Sequence, residues 1–172
     1  GTTVFDFSRD PSGVVPFFSR RIGLDVDGQP QRIEFGAKLT GQIASKDIGF
    51  IHVRTASSGD LIGEDFTVLR TKTNIFQQSY AGLIYTRRAG RDTNNPDSHT
   101  VGADFSLRTS SFRGNENLEF SGYYAWNTTA DTDDGGANFG VRLDYPNEFW
   151  DARVSIREAQ AGHNPAVGFI DR

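Results

Sequence analysis

The side chains able to do chemistry in this chain are scattered. His52, His99 and His163 fall on different segments, and none has a second histidine or a carboxylate at metal-ligand spacing on one strand face. With no cysteine, disulfides and Cys-based zinc sites drop out together. Ser98 stands beside His99, but neighbouring strand residues point to opposite faces, so the two do not form a nucleophile and its base. Asp104 and Glu119 could face each other across a hairpin as the carboxylate pair of a glycosidase; the arginines around them, Arg108 and Arg142, favour ion pairing instead. The acidic run Asp131, Asp133, Asp134, Gly135 and Gly136 offers oxygen ligands and a bend, yet lacks the closing glutamate of a calcium loop and reads as a solvated turn. Arg91, Asn94, Asn95 and Asp97 could hydrogen-bond a sugar and otherwise read as a turn. No metal or cofactor is expected, and a membrane-embedded hydrolase would need a site that these residues do not supply.

What recurs instead is charge on a periodic background. From Arg32 to Ile43, one face carries Ile33, Phe35, Ala37, Leu39 and Ile43, and the other carries Glu34, Lys38, Thr40 and Gln42. The same two-residue period runs through 99–110, 137–145 and 149–158, where Val101, Phe105, Leu107, Val141, Leu143, Val154 and Ile156 alternate with polar residues. Nine strands are predicted: 15–25, 32–43, 48–56, 65–75, 79–88, 99–110, 117–128, 137–145 and 149–158. No apolar stripe of helical period is sustained, so almost no helix is expected. The expected polar face comprises Glu34, Lys38, Arg54, Arg70, Lys72, Arg87, Asp104, Arg108, Glu119, Arg142, Asp144, Arg153 and Arg157.

Alternation does not say which face looks inward; the connections do. Those at 44–47, 76–78 and 146–148 are tight, whereas 57–64, 89–98 and 129–136 are longer and rich in Gly, Asp, Asn and Ser. Short and long loops in turn are the pattern of an up-and-down outer-membrane barrel. The reading is an all-β, antiparallel up-and-down transmembrane β-barrel with the charged residues lining its lumen. Tyr85, Trp126, Tyr145 and Trp150 would form its aromatic girdle. A mean hydropathy of -0.49 does not oppose this, because every second strand residue of such a barrel faces water. The alternative is a soluble calycin-like barrel that turns the apolar face inward around a lipophilic ligand. A net charge of -4 with dispersed arginines argues against nucleic acid as a partner.

Three strings carry a resemblance: FFSRRIGL at Phe17 to Leu24, IEFGAKLTGQIASKDIGFIHVRT at Ile33 to Thr55, and FTVLRTKTNIFQQSYAGLIYTRR at Phe66 to Arg88, with Asn164 to Phe169 closing the match. Over residues 15–172 the chain resembles the bacterial family called domain of unknown function 5916, often found after a carbohydrate-binding module similar to family nine. The resemblance implies a barrel in the bacterial outer membrane, a structural role or the passage or binding of a polar solute such as a saccharide, further strands, and no established catalytic residues. Residues 1–14 then form an N-terminal segment and 15–172 the barrel strands. Gly1 in place of Met suggests a processed or recombinant start. The ending GFIDR reads as the beginning of another strand, so the expectation is a portion of a larger barrel, its open edges paired by missing strands or by another copy.

Overall fold

The alternation becomes one antiparallel sheet. Its strands are β1 (Ile33–Ile43), β2 (Lys46–Thr55), β3 (Glu64–Ile75), β4 (Ser79–Gly90), β5 (Ser98–Phe112), β6 (Glu116–Thr129), β7 (Thr132–Pro146) and β8 (Asp151–Ala159). The computed structural model describes residues 4–8, 15–24, 28–59, 61–91, 96–129 and 132–168. Each strand pairs with the next in the chain, from β1 to β8. The first and last make no contact with each other, so the sheet is open. At one end the hairpins turn through residues with positive φ, Ala44, Phe76 and Arg113 followed by Gly114.

Two expectations are corrected. The strand expected over 15–25 is absent from its described part, residues 15–24: Ser19–Arg21 make one turn of 3-10 helix, and Leu24 forms only an isolated bridge to Pro30. Pro16, which has no N–H to give a ladder, and Gly23 at φ 82° interrupt the extended backbone, and Phe17 and Phe18 break the alternation. Among the described residues the sheet therefore has eight strands, not nine. Nor is 129–136 a long loop, since β6 continues to Thr129 and β7 begins at Thr132, with Asn127 opposite Gly136. The glycine belongs to the strand because Gly162 and His163 of the returning chain lie against it, leaving no room for a Cβ. Connections 56–63 and 91–97 keep their length. Asn94, Asn95, Asp131 and residues 169–172 lie outside the described residues.

Register then sorts the side chains. Leu39, Phe50, Leu69, Tyr85, Val101 and Trp126 are successive cross-strand partners, forming one row on the apolar face. That face is largely bare: Leu39 is 68% exposed, Leu83 58% and Ile156 64%. The opposite face is covered by the chain itself, and the core sits there. Phe5 and Phe7 pack with Val68, Ile84, Tyr123 and Ala125, and Phe17 leans on Phe5 with ring centroids 5.5 Å apart. The chain following β8 returns over the same face. Gln160 N–H donates to the Ala137 carbonyl at 2.9 Å, and Phe18 N–H donates to the Val167 carbonyl at 2.8 Å.

The covering segment fits because the sheet beneath it is floored with glycine. A Cβ at Gly49 would stand 2.7 Å from the Phe5 ring, and one at Gly102 would stand 2.8 Å from Phe7. Both lie well inside contact distance, so each ring rests on bare backbone. Gly102→Val should destabilise the fold by about 1–3 kcal/mol through overpacking, whereas Gly41→Val, with nothing within 4 Å, should be neutral or mildly stabilising. Thermal unfolding of both variants, followed by circular dichroism, checks the pair of outcomes.

Candidate functional site

At the centre of the covered face, Arg70 on β3 reaches Asp104 on β5 over Gly82 of β4. Their bidentate contact measures 2.6 Å from Nη1 to Oδ1 and 3.0 Å from Nη2 to Oδ2, and both side chains are fully buried. A Cβ at Gly82 would sit 2.6 Å from Nη1, so the guanidinium crosses that strand only because it carries no side chain. Two charges without solvent are costly unless their remaining hydrogen-bonding capacity is filled. The N-terminal segment fills much of it: Arg70 Nε donates to the Val4 carbonyl at 3.3 Å, Nη2 to the Asp6 carbonyl at 3.0 Å, and Ser8 N–H to Asp104 Oδ2 at 2.9 Å. Tyr80 adds its hydroxyl to Asp104 at 3.1 Å, and the guanidinium carbon lies 5.5 Å from the Phe7 ring centroid.

Ion pairs continue across the same face. Arg108 meets Glu119 at 3.0 Å, and Ser106 donates to the same carboxylate. Asp144 accepts from both Arg142 and Arg153, at 2.5 and 2.7 Å. Arg88 pairs with Glu64, and Arg91 lies 3.8 Å from Glu34. Of the residues expected on the polar face, register groups Glu34, Lys38, Arg70, Lys72, Asp104, Arg108, Glu119, Arg142, Asp144, Arg153 and Arg157 together. Asp104 lies opposite Tyr123 rather than Glu119, so the two carboxylates form no catalytic pair and each is bound to an arginine.

Arg54 and Arg87 are not with them. Arg54 shares its side of β2 with Ile48, Phe50 and His52, and it binds Asp65 at 2.7 Å. Arg87 shares its side of β4 with Leu83 and Tyr85, and it binds Asp97. Both belong to the apolar face, near its long-loop end, where strand parity places them. His52 contacts Thr67 Oγ1 at 3.1 Å, and the Tyr85 hydroxyl meets His99 Nδ1 at 2.9 Å, so a polar rim closes the oily face at that end. Tyr85 and Trp126 lie just below this rim, while Tyr145 and Trp150 lie at the short-turn end. Three phenylalanines not singled out from the sequence join the latter two: Phe112, edge-on to Tyr145 at 6.4 Å, and the exposed Phe76 and Phe149 on the turns.

A cavity of about 700 Å³ lies on the covered face near the short turns, between the N-terminal segment and strands β1 to β4. Lys38, Asp47, Lys72, Asn74, Gln78 and Tyr80 line it, with Val4 and Phe5 as its wall. Asp47 and Lys72 are direct cross-strand partners. Lys38 and Lys72 were legible as polar-face residues; the turn residues were not, because only the hairpin registers bring them to the same place. Among the described residues, no group of three or more His, Cys, Asp or Glu side chains is arranged to hold a metal ion.

His163 anchors the returning chain, its Nδ1 3.0 Å from the Gly136 carbonyl. Burial holds its pKa below the ordinary 6.5, against the opposing pull of that hydrogen bond. No family model, no curated protein and no solved structure matches the chain.

Arg70→Met strands Asp104 in its buried position and should cost about 3–5 kcal/mol, whereas the double change Arg70→Met with Asp104→Leu should cost far less. Urea unfolding of both measures the difference, and hydrogen exchange at the Ser8 amide should rise in each.

Proposed function

We propose that this sheet is a section of a transmembrane β-barrel of the bacterial outer membrane. In this reading the apolar face meets lipid, the charged face encloses the lumen, and the barrel binds or passes a polar solute. One observation carries it: the large apolar side chains from Leu39 to Ile156 stand bare on one face, while Arg70 and Asp104 are sealed on the other. A soluble protein rarely leaves so broad an oily surface open to water, and its core charges are rarely the best buried groups. A lipophilic-ligand barrel would need the Leu83 face inside. No helix among the described residues is long and apolar enough to cross a membrane, a fact that does not bear on strands.

Strand length agrees with this reading. All eight strands run nine to fifteen residues, and a tilted strand needs about 9–11 to cross the hydrocarbon. Aromatic side chains at both ends of the bare face suit the two interfaces of a bilayer. The open edges favour a larger barrel, since unpaired backbone is not tolerated in lipid. A closed barrel of about eight strands encloses little more than its own side chains. Here the covered face also holds Val4 to Ser8, Pro16, Phe17 and the chain around His163. Further strands of the protein, or strands of another copy, would complete the wall. The resemblance read in the sequence to domain of unknown function 5916, which no family-model match supports, is the sole basis for proposing a saccharide as the solute.

Leu83→Arg, in the middle of the bare face, should destabilise the vesicle-embedded protein by about 2–4 kcal/mol, measured by reversible denaturant unfolding in lipid vesicles. Wild-type stability for that variant, or a monodisperse native chain in buffer without detergent, contradicts the membrane reading.

A further inference from the structure

The segment Val4 to Ser8 lies on the sheet without joining it. The ladders run from β1 to β8 with no place for it, so side chains and bare backbone of the covered face hold it instead. Its main chain is gripped at alternate residues: the carbonyls of Val4 and Asp6 accept from Arg70, and the Ser8 amide donates to Asp104. Its two rings take separate seats. Phe5 rests on Gly49, where the three atoms nearest a Cβ all belong to Phe5 and Val4, and Lys38 Nζ stands 5.7 Å from its centroid. Phe7 rests on Gly102, with the Arg70 guanidinium carbon 5.5 Å from its centroid and the Tyr123 ring edge-on at 6.2 Å. A cation over each ring face favours an aromatic side chain in the seat over an aliphatic one.

Departure of the segment strands no charge. Arg70 and Asp104 hold each other through two hydrogen bonds and Tyr80 stays on Asp104, so water entering above them takes over the segment's part around an intact pair. We propose that Val4 to Ser8 is a tethered plug. It docks on a site that the sheet presents ready-made, leaves it without unfolding the sheet, and can be replaced there by an untethered peptide with two aromatic residues at the same spacing. This holds whichever solvent the bare face meets. Val4 and Phe5 also wall the cavity near the short turns, so their departure would open it toward the middle of the covered face.

Fluorescence anisotropy tests this with a labelled peptide, TTVFDFSR, the sequence of residues 2–9, titrated with the full chain carrying Phe5→Ala and Phe7→Ala. The vacated site should bind it saturably, and the wild-type chain at least about tenfold more weakly, because its own segment competes at high effective concentration. Adding Gly49→Val to the double variant, in a strand that valine suits, should weaken the peptide about tenfold or more by filling the Phe5 seat. A peptide with leucine at both ring positions should bind about fivefold or more weakly. In the wild-type chain, the Ser8 amide should exchange its hydrogen about a hundredfold or more faster than the ladder amides of β3 to β5. Exchange at the ladder rate, or a double variant whose far-UV circular dichroism has lost the strands, overturns the proposal by making the segment part of the core. A folded double variant that ignores the peptide, or that binds it equally well with Gly49→Val or with leucine in the ring positions, overturns the docking site.

Discussion

A guanidinium and a carboxylate sealed from water at the middle of a sheet constrain everything around them. Backbone carbonyls of Val4 and Asp6, the Ser8 amide and the Tyr80 hydroxyl complete the hydrogen bonding of Arg70 and Asp104. While buried, the pair requires the N-terminal segment, and the segment requires the pair, since Val4 to Ser8 has no strand partner of its own. Glycines at 49, 82 and 102 follow from the same requirement, because the Phe5 ring, the guanidinium and the Phe7 ring occupy the space where side chains would stand. The returning chain locks this layer at the long-loop end through Val167, Gly168 and Arg21.

With its charges satisfied on one side, the sheet is left with its oil on the other. Water is a poor environment for the row from Leu39 to Trp126, and hydrocarbon is a natural one. Polar and aromatic groups at both ends of that face match a bilayer's boundaries: His52, Arg54, Arg87 and His99 beyond Tyr85 and Trp126, and Phe149 and Trp150 at the turns. On the opposite face the covering segment takes up much of the space over the sheet, with a cavity beside Lys38 and Lys72 left next to it.

Much of the sheet was legible in the sequence, because a two-residue period maps directly onto two faces. Arg54 and Arg87 were misplaced by attending to charge rather than parity; counting from Ile48 through Phe50 and His52 puts Arg54 on the oily side. The stretch Val15 to Asp25 resembled a strand by composition, although Pro16, the adjacent phenylalanines and Gly23 oppose one. Residues 129–136 looked like a loop because Asp and Gly commonly mark turns, yet the glycines serve close packing of the returning chain. Phe5 and Phe7 stand two apart in the stretch taken only as an N-terminal segment, a local sign of its role. Their docking on Gly49 and Gly102 is a long-range contact, and no local pattern encodes it. The cavity was hidden for the same reason, since Asp47, Asn74 and Gln78 converge only through strand register.

The chain's two tryptophans both lie on the bare face, one toward each end, and report directly on what that face meets. Single-tryptophan proteins, made by Trp150→Phe or Trp126→Phe, can be refolded into vesicles of lipids brominated at defined acyl depths. If the oily face lies in the bilayer, each indole is quenched most strongly by bromines close to the headgroups and less by those at the midplane. Water-exposed emission at both positions, unaffected by bromine at any depth, would contradict it.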